Sequence, residues 1–215
     1  MNIRRLPVLF ALAAATLAAA PTPATLTIHA RTPKGEPVAD AVVSLHPLDG
    51  AAVPPPTAAG EVAQQNQEFT AYVTVVQAGT RVVFPNRDTV QHHVYSLSKA
   101  RKFELPLYNP GQNESIVFDT PGLVTLGCNI HDWMLAYLVV VPTPWFAKTD
   151  AQGLATVTAP AGRYRLELWH PRLSAALAQE ITLTAATTDQ RDFALTLKPD
   201  RRIRRGGATK SGGYR

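Results

Sequence analysis

The chain of 215 residues has room for one or two domains, and its 18 prolines argue against long helices. Its single cysteine excludes an internal disulfide, because no second thiol is present. The formal charge of +5 comes from the two ends of the chain, and the mildly acidic segment between them argues against a nucleic-acid-binding surface. Frequent valine and threonine with Pro- and Gly-rich turns predict an all-β protein.

Residues 1–24 have the pattern of a secretory signal peptide. Arg4 and Arg5 form a charged start, residues 6–17 an apolar stretch, and three alanines follow near a cleavage point between 18 and 24. The apolar stretch is shorter than the about 20 residues of a membrane-spanning helix, so an uncleaved anchor is the weaker alternative. We therefore expect a periplasmic or secreted protein without a transmembrane anchor.

Three blocks of predicted strands follow the signal segment. The first block, from 25 to 48, predicts a strand, a turn at 33–35 and a second strand at 41–45, and a linker rich in alanine and proline follows at 50–60. The middle block ends near 145. Its predicted strands are 69–76, 80–84, 90–95, 114–118, 122–126 and 135–141.

The third block, from 149 to 197, ends in a basic tail. Its predicted strands are 155–158, 163–168, 181–183 and 193–197. Within it, Trp169-His170-Pro171 is predicted to lie at the surface. The tail at 198–215 carries seven basic residues and one acid, which favours a solvated, disordered terminus over a contact with anionic lipid or nucleic acid.

The most informative motif is Cys-x2-His-x2-Met at 128–134. It brings the only cysteine, Cys128, and the only methionine after the initiator, Met134, into one short loop with His131 midway between them. Thiolate, imidazole and thioether are soft or borderline donors that together suit copper. The loop therefore predicts three ligands of a mononuclear copper site.

A trigonal copper site needs a second histidine from another strand. In the strand predicted at 90–95, alternation puts Val90, His92 and Val94 on one face, and the two valines mark that face as the core side. His92 is therefore the predicted fourth ligand. His93 lies on the opposite face and stays the alternative.

Other interpretations exist for the same residues. A lone buried cysteine or methionine is often only part of a core. Zinc is the rival metal, but structural zinc prefers more thiolates and seldom accepts methionine. The joint placement of Cys128, His131 and Met134 favours copper over both.

Two motifs make the middle block resemble the cupredoxins, especially amicyanin and plastocyanin. They are Asn-x5-His-x-Val at 86–94 and Cys-x2-His-x2-Met at 128–134. The resemblance implies a Greek-key β-sandwich with one type 1 copper, bound by His92, Cys128 and His131 with Met134 as the weak axial ligand. Many cupredoxins have asparagine directly after the first histidine. That asparagine bonds across to the cysteine loop. Here His93 takes its place, and the alternatives for its imidazole are a similar bond to that loop, a changed redox tuning or a fourth strong ligand.

Four segments of the middle block together resemble exported bacterial proteins known as methylamine utilisation proteins. They are Phe-Pro-Asn at 84–86, His-His-Val-Tyr-Ser at 92–96, Phe-Glu-Leu-Pro-Leu-Tyr at 103–108 and Leu-Gly-Cys-Asn-Ile-His-Asp-Trp-Met at 126–134. The resemblance implies a link to methylamine oxidation.

The first and third blocks together resemble a carboxypeptidase regulatory-like module, of the Cna-B or transthyretin-like type. The segments that carry this resemblance are 32–43, 149–153 and 160–166. It implies a discontinuous β-sandwich of residues 25–60 and 146–197 with a cupredoxin domain of residues 61–145 inserted into it. In the alternative division, the first block adds a strand to the middle domain.

The predicted function is outer-sphere electron transfer by a copper protein, with a dehydrogenase or cytochrome as the redox partner. No substrate pocket or acid–base pair is indicated, so no enzyme is expected. One alternative is a periplasmic copper carrier or sensor, which would hold the metal without rapid turnover. The other is an extracellular binding module in which the outer β-sandwich does the work and the metal is only structural.

Overall fold

The computed structural model describes residues 22–200 and Arg202. Within this part of the chain every regular element is a β-strand, which confirms the predicted all-β class. No helix in the described part is long and apolar enough to span a membrane. The predicted signal segment lies outside the described residues except for 22–24, and the first strand already begins at Pro23.

One β-sandwich, here called the outer sandwich, is built from both ends of the described chain. Its strands are β1 (Pro23–Arg31), β2 (Val42–Pro47), β13 (Phe146–Lys148), β14 (Leu154–Pro160), β15 (Gly162–Trp169), β16 (Leu177–Leu183) and β17 (Thr188–Ala194). They form two sheets in the orders β14-β1-β17 and β13-β2-β15-β16. Strand β1 pairs parallel with β17 and antiparallel with β14, so the first and last strands are neighbours.

The segment between them forms a second sandwich, here called the inner sandwich. Its strands are β3 (Gly60–Glu61), β4 (Gln64–Gln65), β5 (Glu68–Phe69), β6 (Val73–Gln77), β7 (Thr80–Pro85), β8 (Val94–Ser98), β9 (Arg101–Glu104), β10 (Asn113–Phe118), β11 (Gly122–Cys128) and β12 (Leu135–Val141). The sheets have the orders β10-β7-β3 and β6-β12-β11-β8-β9, and β4 and β5 form a separate hairpin.

Each sandwich encloses its own apolar core. In β1, Leu26 and Ile28 are fully buried, and the alternating residues Thr25, Thr27 and His29 are half-buried, as expected for a strand with one face on a core. The largest buried side chains of the outer core are Leu26, Ile28, Leu45, Tyr164, Leu166, Leu168 and Leu183. Those of the inner core are Phe84, Tyr108, Phe118, Leu126 and Leu138.

A third apolar cluster joins the two sandwiches. Its buried members are Val42, Val73, Val139 and Val141. At its edge the ring of Tyr137 packs edge-on against Trp169, with centroids 5.7 Å apart. Lys148 of the outer sandwich donates to the backbone carbonyl of Val73 at 2.8 Å. Apolar packing and a polar contact therefore hold the two sandwiches together.

The strand predicted at 90–95 begins later than predicted. Strand β8 starts at Val94, because the residues before it form a turn in which the Asn86 side chain donates to the Val90 carbonyl at 2.9 Å. Val90 is half-buried, whereas His92 and Val94 are fully buried. The predicted alternation is wrong for Val90 and correct from His92 onward.

Two further strands also differ from the prediction. The strand predicted at 69–76 is interrupted, so that Phe69 belongs to the hairpin and β6 begins at Val73. The strand predicted at 193–197 lies earlier, because β17 already ends at Ala194 after pairing with β1. The linker predicted at 50–60 contains no strand before Gly60.

The structure also corrects the expectations for His170 and the start of the tail. His170 is buried rather than at the surface, and its Nδ1 accepts a hydrogen bond from the backbone N–H of Arg172 at 3.1 Å. The Lys198 N–H donates to the Arg172 carbonyl at 2.8 Å, and the Arg202 guanidinium lies 3.7 Å from the Tyr72 ring centroid. These tail residues therefore pack onto the fold, and most of the tail lies outside the described residues.

Replacing Gly153 with alanine should destabilise the outer sandwich. Gly153 has φ of +74°, and an added Cβ would lie 2.3 Å from the Ala30 carbonyl oxygen. Gly35→Ala is the matched control, because Gly35 has φ of +86° with nothing within 4 Å of the added Cβ. Urea unfolding should show a loss of about 1 kcal/mol for Gly35→Ala and clearly more for Gly153→Ala. Equal losses would contradict the predicted clash.

The stability of the protein should depend on the protonation of His170. Burial, followed by the charge of Arg172, lowers the pKa of His170 to about 4 from 6.5. Below pH 6.5 His170 binds a proton in the unfolded chain but stays neutral in the folded chain. The free energy of unfolding therefore falls as the pH falls toward 4, by up to about 3 kcal/mol. In His170→Asn this part of the pH dependence should disappear, because asparagine does not titrate. The asparagine side chain can still accept the hydrogen bond from the Arg172 N–H, so the local structure should be kept. Unfolding curves between pH 7 and 4 measure the effect, and identical pH slopes would contradict it.

Candidate metal centre

Three soft or borderline donors converge inside the inner sandwich. The Cys128 Sγ lies 3.8 Å from Nδ1 of His92 and 3.5 Å from Nδ1 of His131. The ligand atoms of these three residues all lie within 4.8 Å of one another. Cys128 and His92 are buried and His131 is half-buried.

Strand pairing brings Cys128 and His92 together. Cys128 is the last residue of β11 and pairs with Val94, the first residue of β8. His92 lies two residues before Val94 and therefore on the same face. Its backbone is held by Tyr108, since the His92 N–H donates to the Tyr108 carbonyl at 3.2 Å and the Tyr108 N–H donates back at 3.0 Å.

The loop after β11 supplies the other donors. It is anchored at its start by the Asn129 N–H, which donates to the His93 carbonyl at 3.0 Å. At its end the Met134 N–H donates to the His131 carbonyl at 3.0 Å, and β12 begins at the next residue. Met134 is buried in the same core cluster as Cys128. A short hydrogen-bonded loop thus brings His131 close to the thiol and buries Met134 in the core cluster that contains Cys128.

The spacing of the three donor atoms fits a first-row transition metal. Metal–sulfur and metal–nitrogen bonds of about 2.3 and 2.0–2.1 Å, at trigonal to tetrahedral angles, require sulfur–nitrogen distances of about 3.6–3.8 Å. The observed distances are 3.8 and 3.5 Å. Both imidazoles turn the same ring atom, Nδ1, toward the thiol. The donor set and its spacing therefore fit a metal ion without rearrangement of the backbone.

His93 is turned away from the cluster. Its Nε2 lies 3.0 Å from the Glu104 carboxylate of β9, and its buried Nδ1 has no hydrogen-bond partner among the described residues. The bond to the cysteine loop is made by the His93 backbone carbonyl, which accepts the Asn129 N–H, and not by the imidazole. The structure therefore brings His92, and not His93, to the thiol.

A buried carboxylate contacts the far side of the His92 ring, a feature missed in the sequence. Asp88 Oδ2 lies 3.2 Å from His92 Nε2. Burial raises the pKa of the Asp88 carboxyl, but hydrogen bonds from the backbone N–H groups of Gln67 and Thr89 and from the His92 ring outweigh it and hold the pKa below its usual value. The Asn-x-Asp turn sequence at 86–88 is a local turn signal that gives no indication of this contact.

Trp133 packs against the ring of His131. Its ring centroid lies 5.4 Å from that of His131, and its indole N–H donates to the Gln67 carbonyl at 2.8 Å. Gly127, beside Cys128, allows close packing of the Tyr95 ring, since an added Cβ would lie 3.1 Å from three of its side-chain atoms. The close approach at Gly127 thus accommodates Tyr95.

Among the solved structures similar to part of this chain are cupredoxins. The purple cupredoxin of Nitrosopumilus maritimus is 22% identical with a TM-score of 0.35, and the match covers 38% of this chain and 98% of that chain. A reduced tryptophan-to-tyrosine mutant of amicyanin is 21% identical with a TM-score of 0.36, over 47% of this chain and 98% of that chain. No family model and no curated protein matches. At these scores the likeness adds nothing to the metal centre, which rests on its own geometry.

Substitution of His92 should weaken metal binding far more than substitution of the adjacent His93. His92→Ala removes a donor 3.8 Å from the thiol, whereas His93→Ala removes a ring that points to Glu104. Loss of an outer-shell contact costs 10–100-fold in metal affinity, so loss of a ligand should cost at least about 100-fold. Competitive copper titration of both variants, each with a native-like circular dichroism spectrum, measures this. Weaker binding by His93→Ala than by His92→Ala would reverse the assignment.

Proposed function

We propose that the protein is an exported mononuclear copper protein that exchanges electrons with another redox protein. The observation that carries the proposal is the cluster of the Cys128 thiol with the Nδ1 atoms of His92 and His131, all within 4.8 Å of one another. Met134, buried in the same core cluster, is the proposed axial ligand. Two imidazoles, a thiolate and a weak thioether are the donor set of a type 1 copper centre.

Copper suits these donors better than zinc does. Structural zinc sites use four strong ligands from cysteine and histidine, and catalytic zinc sites combine three protein ligands with a water. Here a buried thioether is the candidate for the fourth position. Thioether and thiolate together favour copper, and Cu(I) in particular.

The proposed mechanism is outer-sphere electron transfer. When bound, copper supplies one-electron chemistry by alternating between Cu(I) and Cu(II). The protein residues keep the donor atoms in place in both states: β11 and β8 fix Cys128, and the hydrogen bond from the Met134 N–H closes the loop around His131. Donors held by a sheet and a short loop change position little, which suits fast electron exchange.

Electrons are proposed to enter and leave at the edge of His131. The His92 ring is fully buried, whereas His131 is half-buried and its neighbour Ile130 is 48% exposed. The resemblance to cupredoxins also favours this histidine edge as the contact with the partner. We expect a dehydrogenase or a cytochrome as that partner, and no nucleic acid.

The chain is proposed to be an electron carrier rather than an enzyme. Four protein donors leave no open coordination position for a substrate, which catalytic metal sites keep. The segments between 84 and 134 that resemble methylamine utilisation proteins suggest a role in methylamine oxidation. The signal-like pattern of residues 1–24 supports export.

The decisive experiment is titration of the purified protein with Cu(II). We expect an intense visible thiolate-to-copper band that Cys128→Ser abolishes. His29→Ala is the matched control and should keep the band, because His29 pairs with Asp192 on the outer sandwich. Stopped-flow oxidation of the Cu(I) form by a cytochrome should then be fast.

Two other results would overturn the electron-transfer proposal. Tight Cu(I) binding without a visible band on Cu(II) addition would indicate a copper carrier or sensor. If the folded protein binds no copper specifically, a copper function is excluded. The remaining alternative is then a binding module in which the outer sandwich is the working part.

A further inference from the structure

The ring of His92 is held between a thiol and a carboxylate. Its Nδ1 faces Cys128 Sγ at 3.8 Å, and its Nε2, across the ring, lies 3.2 Å from Asp88 Oδ2. The ring is 0% exposed and the Asp88 side chain only 7% exposed. A carboxylate buried this deeply needs hydrogen-bond donors, and the backbone N–H groups of Gln67 and Thr89 both donate to it.

We propose that Asp88 is a positioning residue for the metal centre, which keeps the proton of the His92 ring on Nε2 and leaves the Nδ1 lone pair directed at the metal position. This inference rests on the proposed metal site but does not require electron transfer. An ionised carboxylate can only accept hydrogen bonds, so the contact with His92 needs a proton on Nε2. A neutral ring with that proton has its lone pair on Nδ1.

The same carboxylate links the two segments that carry the histidine ligands. Gln67 donates its backbone N–H to Asp88 and accepts the Trp133 indole N–H on its carbonyl at 2.8 Å. Trp133 packs against the ring of His131. A chain of contacts therefore runs from His92 through Asp88, Gln67 and Trp133 to His131.

The turn that presents Gln67 has an unfavourable backbone conformation. Asn66 and Gln67 join β4 to β5 with φ of 55° and 59°. A two-residue hairpin turn with both φ values positive usually has glycine at its second position, and a non-glycine residue there costs about 1 kcal/mol or more. The hydrogen bonds made by the Gln67 N–H and carbonyl offset this cost.

A carboxylate on the far side of a ligand imidazole also changes the metal bond. It makes the ring more basic, and outer-shell partners of this kind contribute 10–100-fold to metal affinity. A more basic nitrogen favours the more highly charged ion. Asp88 should therefore stabilise Cu(II) more than Cu(I) and lower the reduction potential.

The first test uses metal-free wild-type protein. Nitrogen–proton correlation NMR of the histidine rings distinguishes the two neutral forms directly. We expect the Nε2–H form for His92. The Nδ1–H form would overturn the proposal, and no substitution that could unfold the protein is needed.

The second test compares Asp88→Asn with Asp132→Asn. Both variants remove one negative charge close to a ligand histidine, but Asp132 is an exposed residue of the ligand loop, whereas Asp88 is buried against the His92 ring. We expect a 10–100-fold loss of Cu(II) affinity for Asp88→Asn, a smaller loss for Cu(I), and little change for Asp132→Asn. Each tenfold loss specific to Cu(II) raises the potential by about 59 mV.

The outcomes separate this inference from the proposed function. Equal losses of Cu(II) affinity in Asp88→Asn and Asp132→Asn would mean that the removed negative charge alone causes the effect. That result would overturn the positioning role of Asp88. If copper binds but transfers no electrons, the tautomer and the affinity ratio still test Asp88. If Asp88→Asn does not fold, the wild-type NMR measurement decides.

Discussion

The backbone pairing of the end of β11 with the start of β8 is the constraint on which the candidate metal centre depends. It sets Cys128 opposite Val94, and because alternate residues of a strand share a face, His92 comes to the side of the thiol. A slip of one residue would bring His93 to that side instead. Gly127 allows the two strands to approach at this point, since the Tyr95 ring fills the space that a Cβ would need.

The hairpin of β4 and β5 forms a second layer that supports this pairing from outside. The Gln64 side-chain oxygen accepts a hydrogen bond from the Tyr108 hydroxyl, and the Tyr108 backbone is hydrogen-bonded to the backbone of His92. Gln67 binds Asp88 on one side and Trp133 on the other. The hairpin thus contacts the residues behind both candidate ligand histidines, so a loss of order there would loosen the donors without removing any of them. Such preorganised donors would suit the proposed electron transfer.

The outer sandwich supports the inner one by closing the described chain around it. Strand β1 lies between β14 and β17, so the two ends of the described fold pair with each other while residues 60–141 fold between them. The valine cluster and the Lys148 contact with the Val73 carbonyl fix the inner sandwich against this frame. The contacts reach β6 and β12, and β12 follows directly after Met134. Through its packing against β12, the outer sandwich helps to fix the end of the loop that carries His131 and Met134.

The sequence by itself determined the strand class and the candidate donors, because both depend on local pattern. Alternation placed His92 on the core side, and the spacing Cys-x2-His-x2-Met confined three donors to one loop. Only the tertiary structure decided what surrounds them. Asp88 reaches His92 because the turn at Asn86 extends past Val90, where the next strand was predicted to begin, and Gln67 comes from a hairpin some 20 residues earlier in the chain. Contacts between distant segments, such as Gln67 with Trp133, depend on strand register and sheet packing, and these leave no periodic pattern in the sequence.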